Sequence, residues 1–328
     1  MIKKRYLETT ISEDLKEKMV FIGGPRQVGK TTLARSIGEQ PGSAPTYLNW
    51  DKRKDRQSIL GQNFPGKPRL LIFDELHKYR QWKQYIKGLY DTAHEQFKII
   101  VTGSARLDLY RRGGDSLMGR YHYYRLHPFS LAEVSSQPPK ISAGKELEFP
   151  KANPSDRQRY EQLFKFGGFP EPFLKQNEKT LRRWQDERLD RLVKEDIRDI
   201  ENVRDLSALQ VLAEVLPEKV GSIFSLNAIR EDLQVAHKTL SLWMDVLERF
   251  YYHFRIYPFA STRIKSLRRQ PKLYLWDWSE IERPAARLEN IVASHLLKLT
   301  HYLHDTEGWK TELWYLRDNN GREVDFLV

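Results

Sequence analysis

Residues 24 to 31 read Gly24-Pro25-Arg26-Gln27-Val28-Gly29-Lys30-Thr31: a glycine, four intervening residues, then Gly-Lys-Thr, with Thr32 next. That spacing suits a cradle for phosphate. Glycines at both ends let the chain turn tightly enough for successive N–H groups to converge on phosphate oxygens, and a helix beginning at Lys30 adds the positive end of its dipole. Lys30 would reach the β- and γ-phosphates of a nucleoside triphosphate, and Thr31 would offer its hydroxyl to Mg²⁺. Arg26 and Gln27 either contact phosphate or fill the loop, and residue type alone leaves both open. Forty residues on, Arg69-Leu70-Leu71-Ile72-Phe73-Asp74-Glu75 ends an apolar run in two adjacent carboxylates. Asp74 suits a Mg²⁺ ligand, direct or through water, and Glu75 suits the base that orients and deprotonates an attacking water. A third apolar run, Lys98 to Thr102, ends in Gly103-Ser104. Ser104 could sense the γ-phosphate or position the water.

These groups meet only if strands deliver them to one edge of a sheet. Strand signals at residues 20–22, 46–50, 70–73, 98–102 and 121–126 alternate with helical signals after Lys30 and over residues 82–96. The alternation predicts an α/β fold of parallel strands with right-handed crossovers, and ligands of such sheets bind beyond the carboxyl ends of the strands. A chain of 328 residues is long for one core, so two or three domains are expected. The absence of cysteine excludes disulfides, thiolate zinc sites and cysteine nucleophiles. No apolar stretch approaches eighteen residues and the first residues lack the apolar segment of a signal peptide, so the expectation is a cytoplasmic protein with no membrane partner. A formal charge of +11 favours an acidic partner such as DNA.

The texture changes in the second half. Residues 135–156 are polar and proline-broken, which reads as a linker or exposed loop. Residues 157–224 are mostly helical in pattern, interrupted at Gly167-Gly168-Phe169-Pro170. Over residues 225–276, two short amphipathic helices are followed by two strand signals, at residues 250–259 and 272–276, the spacing of a helix-turn-helix with a wing. Lys238 and Thr239 at the start of the second helix would face a DNA groove, and Arg263, Lys265, Arg268 and Arg269 would lie against phosphates. The competing reading is a lid or docking surface. Trp276 and Trp278 either stack on bases or fill the core.

The Gly-Pro-Arg-Gln-Val-Gly-Lys-Thr-Thr run, Thr102-Gly-Ser, Gly119-Arg120, Pro128-Phe-Ser-Leu-Ala-Glu133 and Gly167-Gly-Phe-Pro170 together resemble the prokaryotic AAA+ ATPases that carry a C-terminal domain of unknown function. The resemblance implies a P-loop NTPase sheet in the order five, one, four, three, two over residues 1–134. It also implies a helical and winged-helix region and a partial endonuclease-like α/β segment over residues 277–328. It places Gly24 to Thr32 around ATP, Thr31 and Asp74 on Mg²⁺, and Glu75 and Lys30 in catalysis, and it matches Ser104 to a sensor position. Arg120 matches an arginine that stabilises transition-state charge, in its own subunit or in a neighbour's. Pairing with Glu133 is the structural alternative. In the last segment, Glu289 on a helix and Asp325 on a strand resemble the opening half of an endonuclease metal site. The strand that should come next with Glu or Asp, one residue and Lys is not found before Val328, so independent nuclease activity is not expected.

The expected protein is a Mg²⁺-dependent ATPase that assembles with copies of itself on ATP binding and moves a winged-helix region on or near DNA. Two rivals remain: an ATP-gated DNA-binding regulator with slow hydrolysis, and a nucleotide-stabilised binder of a protein partner that does not hydrolyse.

Overall fold

The computed structural model describes residues 4–39, 44–66, 68–103, 117–135, 141, 144, 146, 148, 150–198, 203, 205–260, 269–318 and 320–328. The chain divides into two compact units, one of Met1–His127 with Asp305–Gly308, the other of Pro128–His304 with Trp309–Val328.

The first unit is built on five parallel strands: β1 (Met19–Gly23), β2 (Pro45–Asn49), β3 (Leu70–Asp74), β4 (Lys98–Thr102) and β5 (Tyr121–Arg125). Their order is β2-β3-β4-β1-β5, the expected five, one, four, three, two read from the other edge. β1 and β3 are buried at every position, as strands covered on both faces must be. On one face Met19, Phe21, Leu71, Phe73, Ile99 and Val101 join a core with Ile59 of α3 (Arg53–Leu60) and with Trp82, Ile86 and Leu89 of α4 (Trp82–Ala93). By strand alternation Val20, Ile22 and Ile100 face the other side. Packed against the sheet are α1 (Glu8–Asp14) and α2 (Lys30–Gly38), which bury Ile11, Leu33 and Ile37. The parallel register sets Asn49 beside Asp74, Asp74 beside Thr102, and Ile22 beside Thr102. The polar strand ends therefore form one row.

The second unit opens with the short α5 (Leu131–Val134) and continues through α6 (Pro154–Phe166), α7 (Pro170–Lys175), α8 (Glu178–Arg191) and α9 (Leu206–Val215). Asn153 and Asp156 form a capping box at the start of α6, with Pro154 in the first turn where a missing N–H costs nothing. Two motifs singled out in the sequence meet here. Phe129 N–H donates to Gly168 O at 2.7 Å, and a Cβ on Gly168 would come within 2.5 Å of the Trp278 ring. Lys298 reaches Glu133, Ser130 Oγ (3.1 Å) and Pro128 O (3.0 Å), so a lysine of the same unit partners Glu133.

Next come α10 (Leu226–Leu233) and α11 (His237–Arg249), separated by a turn at Gln234 with φ 53°. Then β6 (His253–Pro258) pairs antiparallel with β7 (Lys272–Leu275). These strands do not stand alone as a wing. β6 also pairs in parallel with β8 (Trp314–Arg317), and β8 pairs antiparallel with β9 (Glu323–Leu327), giving a four-stranded sheet in the order β7-β6-β8-β9. A long helix, α12 (Pro284–Glu307), precedes β8. The base-stacking reading of Trp276 and Trp278 is overturned, because their side chains are 5% and 1% exposed and Trp278 Nε1 donates to Leu163 O at 2.7 Å. Both rings are core.

Two imidazoles, His253 buried and His295 half-buried, give the second unit a pH dependence. His253 donates from Nε2 to Met244 O at 3.0 Å; His295 donates from Nδ1 to Ile291 O at 2.7 Å and accepts Leu131 N–H at Nε2, 3.2 Å away. Burial pushes each pKa down to about 4 from 6.5, against the pull of Glu248 and Asp245 on His253 and of Glu133 on His295. Between those values the unfolded chain binds the extra proton and the folded chain does not. Stability is therefore present above pH 6.5 and lost as pH falls toward 4, at about 1.4 kcal/mol per pH unit for each histidine. Urea midpoints measured from pH 7 to pH 4 should fall accordingly, and a level profile would contradict the neutral assignment.

Candidate active site

β1 leaves the sheet through Gly24, at φ +134°, where an added Cβ would come within 2.4 Å of Leu126 O. Only glycine allows the chain to turn this close to the end of β5. Gln27 (φ 63°) and Gly29 (φ 98°) are also left-handed, and Gly29 stands immediately before the nine-residue α2. Behind the loop, Arg5 donates to Val28 O at 3.0 Å and to His127 O at 2.5 Å. Pro25 and Val28 are buried, while Arg26 and Thr32 are exposed. Lys30 is 8% exposed and its Nζ donates to Gly24 O (3.0 Å) and Pro25 O (2.7 Å). A phosphate arriving here would compete with two carbonyls for that ammonium and would meet the first N–H groups of α2, which have no partner within the helix.

Asp74, at the end of β3 and 7% exposed, is held by three hydroxyls. Thr102 donates to Oδ1 at 2.6 Å, and Tyr47 and Thr31 donate to Oδ2 at 2.6 and 2.9 Å. Burial, then the hydrogen bond to Asp74, pushes the Tyr47 phenol up to about 12, so it stays a donor. The Thr31 hydroxyl and the Asp74 carboxylate are hard oxygen ligands in contact. Such a pair fits Mg²⁺, which binds through one or two carboxylates plus waters and phosphate oxygens.

Glu75 takes a left-handed conformation (φ 56°, ψ 20°) and opens the 3₁₀ turn Leu76–Lys78. A non-glycine residue there costs about 1 kcal/mol, and its N–H is anchored on Thr102 O at 3.2 Å. Its carboxylate lies 3.4 Å from Lys78 Nζ and 3.5 Å from His77 Nε2, and Lys78 also pairs with Asp51 at 2.6 Å. Burial raises the Glu75 pKa while Lys78 and Lys30 pull it back, leaving a carboxylate more basic than an exposed one.

The remaining sequence candidates are dispersed. Ser104, Arg263, Lys265 and Arg268 lie outside the described residues. Arg120 precedes β5 at the amino-terminal edge of the sheet, where its carbonyl accepts Met19 N–H and its guanidinium binds Asp91 in a fork of 2.6 and 3.1 Å. The cradle is at the other end of β1, about 13 Å away along the strand. Arg120 therefore does not approach the cradle of its own chain. Lys238 is exposed and Thr239 half-buried at the start of α11, and Arg269 is exposed before β7.

Glu289 and Asp325 do come together, and the lysine sought downstream arrives from an earlier strand. Lys272 of β7, its side chain 4% exposed, lies 2.5 Å from Glu323, 2.8 Å from Asp325 and 3.7 Å from Glu289. Burial lowers its pKa, and hydrogen bonds to Asp325 and Glu323 outweigh that, leaving it raised. This ammonium occupies the centre of the carboxylate cluster. The sequence missed it because the strand pairing that brings β7 there is not readable from spacing.

Residues 16–135 match the family model described as AAA domain, and residues 157–279 match a domain of unknown function, DUF8612. The chain is 23% identical over 269 residues to an uncharacterized protein of Mycobacterium tuberculosis, covering 81% of this chain and 55% of that protein. It is 25% identical over 308 residues to an uncharacterized protein of Methanocaldococcus jannaschii, covering 83% of this chain and 63% of that protein. The chain thus spans between 55% and 63% of the length of these curated relatives. Among solved structures it is similar to the RuvB Holliday junction branch migration motor of Thermotoga maritima, at 18% identity, covering 77% of this chain and 88% of that one, with a TM-score of 0.36. The match to the AAA domain model falls on the first unit, whose five-stranded parallel sheet has the P-loop NTPase fold. Among the described residues, no helix is long and apolar enough to cross a membrane.

Proposed function

We propose that the first unit binds ATP with Mg²⁺ and hydrolyses it to ADP and phosphate. The observation that carries this reading is the contact between Thr31 and Asp74, 2.9 Å apart, directly before the carboxylate of Glu75 and beside the glycine loop. In this reading the Lys30 ammonium exchanges the Gly24 and Pro25 carbonyls for β- and γ-phosphate oxygens. Backbone N–H groups of residues 27–31 hold the remaining phosphate charge. Bound Mg²⁺ would supply Lewis-acid neutralisation of the phosphates, with Thr31 and Asp74 holding it. Glu75 accepts the proton of the water that attacks the γ-phosphorus. Preference for adenine rests on the match to an AAA domain.

Glu75→Gln should keep ATP affinity within about threefold while lowering turnover at least 100-fold, because only the base is lost. Lys30→Ala should weaken ATP binding itself. Calorimetry and phosphate release separate the two, and a Glu75→Gln protein turning over at the wild-type rate would rule out the base assignment.

Arg120 fits the reading only as a residue donated to the site of a neighbouring copy, after releasing Asp91. Specific activity should then rise with protein concentration in the wild type, and Arg120→Ala should remove that rise while leaving ATP affinity intact. Concentration-independent activity in the wild type would dismiss a homo-oligomeric site.

A second reading, that ATP turnover moves the α10–α11 region on DNA, is favoured by the net charge of +11 and by exposed Lys238 and Arg269. Affinity for duplex DNA should fall steeply with salt and differ between ATP and ADP. Equal, salt-insensitive affinities would instead favour a protein partner for that surface.

A further inference from the structure

We propose that Tyr47 is a positioning residue for the magnesium-binding carboxylate: its hydroxyl aims Asp74 at the cation. The inference rests on the nucleotide reading above and adds a residue that neither the glycine loop nor the carboxylate pair contains.

The phenol has a defined donor direction. Asn49 Nδ2 donates to the Tyr47 oxygen at 3.2 Å, so an acceptor site of that oxygen is taken and its own proton points to Asp74 Oδ2, 2.6 Å away. The ring is fixed from the other side, with the Arg35 guanidinium over its face at 4.0 Å from the centroid. Arg35 stands four residues after Thr31 on α2, so the two project from one face of that helix. A closed circuit results, running from α2 through Arg35 and Tyr47 to Asp74 and back to Thr31.

The circuit matters when a cation binds. With no cation, Oδ2 of Asp74 accepts from both Thr31 and Tyr47. When the Thr31 hydroxyl turns a lone pair to Mg²⁺ it keeps its proton for Asp74, but the direction of that proton now follows the cation, whereas the donors on β2 and β4 stay where the sheet holds them. The carboxylate is then steered by Thr102 at Oδ1 and by Tyr47 at Oδ2. Without the phenol, Oδ2 would be free to swing about the Cβ–Cγ bond, and part of the binding free energy would go into fixing it. Losing an outer partner of this kind typically weakens metal binding 10- to 100-fold.

The test uses the full chain and measures binding, not turnover. A fluorescent ATP analogue is titrated in EDTA, and Mg²⁺ is then titrated at fixed nucleotide, for wild type, Tyr47→Phe and Asn49→Ala. Tyr47→Phe should bind the nucleotide in EDTA within about twofold of wild type and need about 10-fold more Mg²⁺ for half-saturation. Asn49→Ala, which keeps the phenol and loses the group that orients it, should shift the Mg²⁺ midpoint by about threefold, and it carries the test if Tyr47→Phe does not fold. An unchanged Mg²⁺ midpoint in folded variants overturns the proposal, as does a parallel loss of affinity in EDTA, which would mean that Tyr47 only shapes the loop. Wild type that binds nucleotide in neither condition overturns the nucleotide reading itself, a result distinct from either.

Discussion

A carboxylate at the end of a buried strand cannot go without donors, because an unpaired charge in that position costs several kcal/mol. Asp74 obtains them from three separate elements, Thr31 on α2, Tyr47 on β2 and Thr102 on β4. Hydrogen bonds to charged groups are worth about 1.5–3 kcal/mol each, so this one side chain ties the helix of the glycine loop to strands on both sides of β3. The parallel register sets the arrangement, with Asp74 paired to Asn49 on one side and Thr102 on the other. A shift of one residue in either neighbour would turn the hydroxyls to the opposite face. The candidate chemistry and the register of the sheet are therefore one constraint.

Immediately after Asp74 the strand geometry stops, and the direction of the next side chain changes with it. In a continued strand Glu75 would point away from Asp74, since successive side chains alternate. Its left-handed backbone breaks that alternation and brings its carboxylate to Lys78 and His77. The strain of about 1 kcal/mol is local, and it is offset by the backbone bond to Thr102 O and by those charge contacts. Thr102 thus holds two consecutive residues, one through its side chain and the other through its carbonyl.

Legibility in the sequence depended on which contacts are local. Gly24 to Thr31 is contiguous, and its glycines and lysine declare the loop without reference to any other segment. Asp74 and Glu75 were legible because an apolar run ended on them. Tyr47 was not, since its part depends on where β2 sits against β3, and nothing within residues 45–49 states that neighbour. The strand order itself came from the resemblance and agrees with the sheet. In the second unit, the sequence left Trp276 and Trp278 between stacking and core because exposure depends on the covering elements, and the structure puts both in the core. Lys272 was overlooked for the same reason as Tyr47. It stands 53 residues from Asp325, and only the antiparallel and parallel pairings of β6 bring their strands into one sheet.

Lys272 also answers a packing question about β9. Four of the five residues of that strand are exposed, Val324 is 52% and Leu327 37% accessible, and its ladder to β8 is irregular between Trp314 and Leu316. Hydrophobic burial therefore contributes little to holding it, apart from Phe326 against Tyr274 with ring centroids 5.8 Å apart. The ammonium of Lys272 reaches Glu323 and Asp325, which are two apart on β9 and so lie on the same face. A strand slipped by one residue would carry both carboxylates away from the lysine and leave a buried cation short of partners. Charge pairing of this kind adds little net stability over apolar packing, yet it penalises the wrong register heavily. At an edge strand with so little apolar surface to bury, that penalty is what defines the pairing.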